Sequence, residues 1–287
     1  MLKLIIYNKY INYYLRNISF IFKSILPNRL RIPISGSFKL KIAKGKTLKI
    51  ATNPTSYITK QLFWEGADHY EFTVFFKKLL SSSEYFIDVG ANFGYYSLLA
   101  AKLKDNIQIH AFEPSPGPLK YLRENIQQNG VEHVIKVYNL ALSDSDEILD
   151  FYIVMNKKFP QFLNLSGEHN TGSKNLKNAT QIKVESTSLD KLYDLKKIEN
   201  VDLIKIDVEG AENSVIKGAE ILIEQFKPKI ICEILKQENA NYIQQKLSGI
   251  GYEFYIFSFG ELIKLNNIEI SQFQKKDFIF IHPENNF

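Results

Sequence analysis

The sequence predicts an α/β fold: a mainly parallel sheet with helices on both faces, preceded by a helical and hairpin extension. Three observations carry this. From Tyr85 onward, short apolar runs alternate with longer stretches of helical periodicity. Several runs are apolar almost throughout, as in Ile230-Ile231-Cys232, which marks strands covered on both faces. The first run ends in a glycine turn that opens a helix, Phe86-Ile87-Asp88-Val89-Gly90-Ala91-Asn92-Phe93-Gly94, where ligands of doubly wound sheets bind.

The elements follow in order. Tyr7, Tyr10, Ile11, Tyr14, Ile18 and Ile21 recur at three- and four-residue steps, with Asn8, Asn12, Arg16, Ser19 and Lys23 on the opposite stripe. This is an amphipathic helix that stops near Pro27. It can dock its apolar face on its own domain, the more frequent fate, or lie on a membrane surface. Phe38, Leu40 and Ile42 alternate with lysines, and a second run over 47–51 follows Lys44-Gly45-Lys46, which is a hairpin pattern. Asp68 with Glu71 three residues on, ahead of Phe72, Phe75, Phe76 and Leu79, reads as a capped helix. Strands over 85–89, 107–112, 134–141, 148–154, 181–185, 203–208, 230–234, 252–257 and 277–281 then alternate with helices over 95–103, 118–128, 211–225 and 239–247. A polar stretch over 156–179 interrupts them. The boundary falls at residue 80, giving an extension over 1–80 and the α/β domain over 81–287.

Composition narrows the class. The chain has 287 residues, 45% of them apolar, enough for a substantial core. One cysteine, Cys232 in an apolar run, excludes a disulfide framework and a cysteine-rich zinc site. No run is long enough to span a bilayer, and the short apolar start does not read as a secretory signal, so cytoplasmic residence is expected. Residues 1–64 hold twelve Lys and Arg and no Asp or Glu; with an overall charge of +5, the rest sums to −7. A basic start of this kind suits an anionic partner, so peripheral contact with the inner membrane face through residues 1–26 is an open expectation; a solvated basic face is the alternative.

The glycine turn distinguishes two ligands. A dinucleotide needs G-x-G-x-x-G, but Asn92 and Tyr95 stand where the second and third glycines would be. S-adenosyl-L-methionine carries no pyrophosphate and has a cationic sulfonium, which a carboxylate beside the turn suits; Asp88 supplies one. Gly90, Asn92 and Gly94 would shape the turn, with Glu113 at the end of the next strand placed to accept ribose hydroxyls. Backbone and polar groups from Asn139 and Ala141 onward would frame the adenine.

The strand around Leu203 ends in the string Ile204-Lys205-Ile206-Asp207-Val208-Glu209-Gly210-Ala211-Glu212. Together with the turn at 86–94, Phe112-Glu113-Pro114, Ser188-Leu189-Asp190, 228–233 and the closing Phe278-Ile279-Phe280-Ile281-His282-Pro283, it resembles the FkbM family of methyltransferases. The likeness runs from about 85 to 283 and hardly touches the first 80 residues. It implies a Rossmann-like class I methyltransferase fold with seven strands, and O-methylation of a hydroxyl on a sugar of a polysaccharide or glycolipid or on a secondary metabolite. The expected acceptor is a glycan or lipid-linked glycan.

Asp207 is the expected base or orienting group, with Glu209 second and Glu233 joining from the neighbouring strand. Three such carboxylates could instead hold a divalent cation, but no metal is assigned. The five histidines share no ligand spacing; His169, in the polar stretch, is the one placed to overhang an acceptor. A nucleic-acid methyltransferase is disfavoured because Asp207-Val208-Glu209-Gly210 stands where amino-methylating enzymes carry a D/N-P-P-Y/F-like motif. A non-enzymatic scaffold would be expected to have lost Asp88, Gly90, Gly94 or Glu113.

Overall fold

A computed structural model describes residues 5–166, 179–258, 260–274 and 276–285. After helix α1 (Lys9–Ile21) come the hairpin β1 (Gly36–Ala43) and β2 (Lys46–Thr52), α2 (Tyr57–Glu65) and α3 (Thr73–Ser81). The central sheet then starts with β3 (Tyr85–Val89), α4 (Tyr95–Leu103), β4 (Gln108–Phe112), α5 (Pro116–Asn129) and β5 (Ile135–Tyr138). β6 (Ala141–Leu142), β7 (Ile148–Val154) and β8 (Ala179–Thr187) follow, then α6 (Leu189–Asp194) and β9 (Leu203–Ile206). The chain continues with α7 (Glu212–Lys217), α8 (Glu220–Phe226), β10 (Lys229–Glu233) and α9 (Gln237–Gly249). It closes with β11 (Glu253–Ser258), β12 (Glu261–Leu265) and β13 (Asp277–Ile281).

The central sheet has the order β12-β11-β13-β10-β9-β3-β4-β5. The five strands from β10 to β5 are parallel to one another, and β13, β11 and β12 run antiparallel to their neighbours. The chain order reverses between β3 and β9, so the carboxyl ends of these two strands open the crevice where a ligand fits. Alternate residues explain the two-sided cover. Phe86, Leu203, Ile231 and Ile279 pack with Leu98 and Leu122 of α4 and α5; Ile87, Ile204, Ile230 and Phe278 pack with Val215, Leu222 and Ile243 of α7–α9. The hairpin's Phe38, Leu40, Leu48 and Ile50 join the first of these clusters, so the extension and the sheet share a core.

Four expectations are corrected. The sheet has eight strands rather than seven: β12 is an exposed edge strand in a hairpin with β11, too mixed in polarity to read as an apolar run. The runs at 148–154 and 181–185 are strands, but of a separate sheet, β6-β8-β7. The helix over 211–225 breaks at Gly218, where a Cβ would fall 2.0 Å from the Ser143 carbonyl oxygen. The capping box at Asp68 and Glu71 does not form: Asp68 pairs with Lys77, and Glu71 takes a positive φ of 41° and turns its carboxylate inward to the Tyr96 hydroxyl, 2.9 Å away.

The N-terminal helix also departs from its more frequent fate. Its polar stripe is what docks: Asn12 and Arg16 are buried. Asn12 donates to the carbonyls of Ile6 and Pro33 and accepts from the Ser35 amide. Arg16 donates to the carbonyls of Ser35 and Ser37. These carbonyls lie at the outer edge of β1, which pairs only with β2 and would otherwise leave them bare. From Tyr10 onward the apolar stripe faces outward, while Tyr7 is buried against Phe159.

Candidate active site

A cleft lies over the carboxyl ends of β3, β4 and β9, lined among others by Val89, Gly90, Glu113, Asp207 and Glu209. Its floor is the turn after β3. Gly90 has φ +73° and approaches the next strand so closely that a Cβ would sit 1.9 Å from the Asp207 carbonyl oxygen. Asn92 also takes a positive φ, 52°. Gly94 tucks under Leu122 of α5, where a Cβ would fall 2.5 Å from its Cδ1. The chain can make this turn only because two of these positions lack side chains.

Glu113, at the end of β4, accepts from the backbone amides of Asn92 and Ser115, both at 2.8 Å. Burial pushes its carboxyl up to about 7 even though both amides favour the charged form. Its orientation is therefore set by the turn it faces. The apolar wall is built from Phe112, Pro118, Leu140, Leu142 and Phe151. Phe112 stands in the Phe-Glu-Pro string and Leu140 and Leu142 in the stretch expected to frame the adenine, whereas Pro118 and Phe151 were not singled out from sequence.

Asp88 does not line the cleft; it is buried beneath it, accepting from the Ser97 hydroxyl at 2.6 Å. Burial raises its carboxyl above the usual range, opposed by Lys205 and Ser97. Its other oxygen has no hydrogen-bond partner and faces the Lys205 ammonium at 3.8 Å. The register accounts for this: Asp88 and Lys205 are opposite one another across β3 and β9. Lys205 also bonds Asp207 at 3.1 Å and reaches the Gly90 carbonyl at 3.5 Å. Burial alone would lower its pKa, but Asp207, Asp88 and Glu71 together raise it. Lys205 is thus a buried cation tying the glycine turn to the acidic string. Sequence reasoning missed it, although its place two residues before Asp207 puts both side chains on one face of a strand.

Asp207, Glu209 and Glu233 bring one carboxylate oxygen each to within 4.8 Å of one another. Burial and the charges of Asp207 and Asp277 push the Glu233 carboxyl well above the usual carboxylate range, which favours its protonated form beside Asp207. Such spacing serves either proton sharing or a hard cation. Glu212, by contrast, is structural: it accepts from the Gly210 amide and the Asn239 side chain. Asp190 of the Ser-Leu-Asp string likewise caps α8 by accepting from the amides of Ile221 and Leu222.

Of the residues expected at the site, Gly90, Asn92, Glu113, Ala141, Asp207 and Glu209 line one cleft. Asp88 and Gly94 stand behind it, Glu233 adjoins Asp207, and Asn139 lies outside the lining. His169 falls outside the described residues. Among the described residues that line the cleft none is basic, and three are acidic.

A crossover sheet with a cleft at its switch point is an arrangement in which α/β proteins hold a nucleoside-like ligand. Residues 88–266 match the family model described as Methyltransferase FkbM domain, and the chain belongs to that family. It is 29% identical over 179 residues to Methyltransferase sdnD of Sordaria araneosa, covering 52% of this chain and 69% of that one. It is 28% identical to the 2-O-methyltransferase NoeI of Sinorhizobium fredii (strain NBRC 101917 / NGR234), over 47% of this chain and 56% of the relative. With the 31-O-demethyl-FK506 methyltransferase FkbM of Streptomyces tacrolimicus it shares 30% identity, over 46% and 58%. Among solved structures, the methyltransferase FkbM from Methylobacillus flagellatus KT aligns with a TM-score of 0.44 and 15% identity, over 70% of this chain and 44% of that one. Residues 88–266 thus form a methyltransferase domain, in a chain that spans a little over half the length of the NoeI and FkbM relatives.

Proposed function

We propose that this methyltransferase uses S-adenosyl-L-methionine to O-methylate a hydroxyl-bearing acceptor, a sugar of a glycan or lipid-linked glycan or else a secondary metabolite. The carrying observation is the sign of the cleft. Its charged lining residues are Glu113, Asp207 and Glu209, and its buried cation, Lys205, is already shared by Asp88 and Asp207. A cationic nucleoside is attracted to such a cleft, whereas a pyrophosphate is repelled.

The residues fit this donor. Gly90 lets the turn close against the Asp207 carbonyl, where a Cβ would collide, and so shapes the cleft floor; Asn92 and Glu113 would meet the ribose, and Leu140 to Leu142 would flank the base. When bound, S-adenosylmethionine supplies a methyl group on a sulfonium, which an acceptor oxygen takes by in-line displacement. Asp207, half exposed at the cleft mouth, is oriented by Lys205 and accepts the hydroxyl proton as that oxygen attacks. Glu233, holding its own proton against Asp207, fixes the carboxylate from behind; Glu209 faces the same mouth.

Oxygen as the accepting atom is supported by the names of two relatives, a 2-O-methyltransferase and a 31-O-demethyl-FK506 methyltransferase. In this reading residues 81–287 carry the chemistry and residues 1–80 help present the acceptor, at the inner face of a membrane. Among the described residues no helix is long and apolar enough to cross one. Calorimetric titration tests the donor: S-adenosylmethionine should bind and NAD should not, and the reverse result would end the proposal. Mass spectra of glycans with and without the gene identify the acceptor.

A further inference from the structure

The outward face of α1 is the most exposed apolar surface of the described chain. Tyr10, Tyr14, Ile18, Ile21, Phe22 and Ile25 all point away from the domain, with Ile21 and Ile25 each 77% exposed. At 3.6 residues per turn the four within the helix, Tyr10, Tyr14, Ile18 and Ile21, fall within an arc of about 80°, and Phe22 and Ile25 follow just past its end. Asn12 and Arg16 lie on the opposite side, pinned to β1 by the bonds described above. A water-facing helix normally presents this pattern the other way round. Here the polar residues are the anchor, so the apolar arc is held out from the body of the protein.

The charge around it is one-sided. No Asp or Glu occurs in residues 1–64, against twelve Lys and Arg. On the exposed face of the hairpin that carries α1, Lys39 stands directly across from Lys49. Like charges opposed on a sheet repel, and among the described residues no carboxylate pairs with either lysine.

We propose that α1 is a membrane-surface helix that seats in the headgroup region of an anionic bilayer, apolar arc downward, with the hairpin lysines meeting the lipid phosphates. Tyrosines at such a boundary keep their rings among acyl chains and their hydroxyls in water. A second copy of this chain fits the arc poorly. A two-fold contact sets the same surface against itself and brings its cations together, since Glu65 beside them is already engaged by Lys23 and Arg31. The surface deepens the reading of a membrane-borne acceptor, yet it rests on burial and charge alone, and its test does not use methyl transfer.

The full chain is sedimented with vesicles of phosphatidylcholine alone and of equimolar phosphatidylcholine and phosphatidylglycerol. It should pellet with the anionic vesicles and leave them as salt is raised to about 1 M, where charges are screened within about 3 Å. The double variant I18D/I21D should weaken vesicle binding by about tenfold or more, because it puts two charges into the acyl boundary. The pair K39E/K49E should weaken it while leaving the arc intact. Both variants should unfold at the wild-type temperature and bind S-adenosylmethionine as the wild type does, since none of the four residues touches the cleft. Failure of the wild type to pellet, or an I18D/I21D variant that pellets equally, overturns the proposal. Light scattering that shows a wild-type dimer, made monomeric by I18D/I21D and indifferent to vesicles, assigns the arc to a second copy instead.

Discussion

Replacing Lys205 with Met keeps the apolar stem and removes the ammonium between Asp88 and Asp207. The loss is largest at Asp88, which is 1% exposed and keeps its hydrogen bonds from Ser97 but no cation. At 3.8 Å and an effective dielectric near 20, the Asp88–Lys205 attraction is about 4 kcal/mol. Breaking a buried pair from one side costs about 3–5 kcal/mol, because the remaining charge is stranded. Asp88 can limit that cost by taking up a proton, at about 1.4 kcal/mol per unit of pKa shift. That sets the sign with pH. In the variant the folded-state pKa of Asp88 lies further above its unfolded value, so the fold holds more protons than the unfolded chain. Stability is retained at low pH and lost as pH rises.

Urea unfolding followed by circular dichroism reads this directly. Lys205→Met should be destabilised by about 3–5 kcal/mol near pH 8, and the gap to wild type should narrow towards about pH 5. Asp88→Asn added to Lys205→Met should recover part of the loss, with a coupling of about 2–4 kcal/mol in the double-mutant cycle. Two single effects that add to within about 0.5 kcal/mol, together with a gap that does not change with pH, would refute the pairing.

Glu113 should make donor affinity depend on pH: its carboxyl, held at about 7, must be ionised to accept the ribose hydroxyls. Binding of S-adenosylmethionine should therefore weaken by up to about tenfold per unit as pH falls below 7. Glu113→Gln should flatten the profile, and an unchanged profile would remove Glu113 from the ribose site. Asp207→Asn should lower turnover by about 10²- to 10⁴-fold while donor affinity stays within about threefold; near-normal turnover would exclude Asp207 as the base. Gly90→Ala forces a Cβ against the Asp207 carbonyl at a positive φ. It should cost about 2–4 kcal/mol in unfolding experiments and abolish donor binding, and a wild-type melting curve would contradict the close approach. Dialysis against a chelator should leave turnover intact; loss that magnesium restores would show that Asp207, Glu209 and Glu233 hold a cation rather than a shared proton.

Much of the domain could be read from the chain because its strands are buried on both faces and its turns are built from glycine. The runs around Ile87, Ile204 and Ile231 and the positive-φ glycines at 90, 94 and 130 required no tertiary knowledge. The readings that failed depended on what lies across from a residue. β12 is an edge strand with no apolar run. Gly218 breaks a periodic helix because Ser143 lies against it. Glu71 has the spacing of a cap but is claimed by Tyr96. The site shows the same division. The turn and Glu113 carry local patterns, whereas Lys205 matters because β3 sets Asp88 opposite it, and pairing between strands is not written in either strand alone.

The two amides that hold Glu113 come from different segments, one from the loop after β3 and one from the start of α5. The carboxylate therefore works as a clasp that closes before any visitor arrives, joining two neighbouring crossovers into one stiff rim. A ligand entering there has little backbone to organise, so less of its grip is spent on ordering the protein. Adaptation to different acceptors then has to come from the opposite bank, where Phe151 of β7 and Ser166 line the cleft and can vary without loosening the rim.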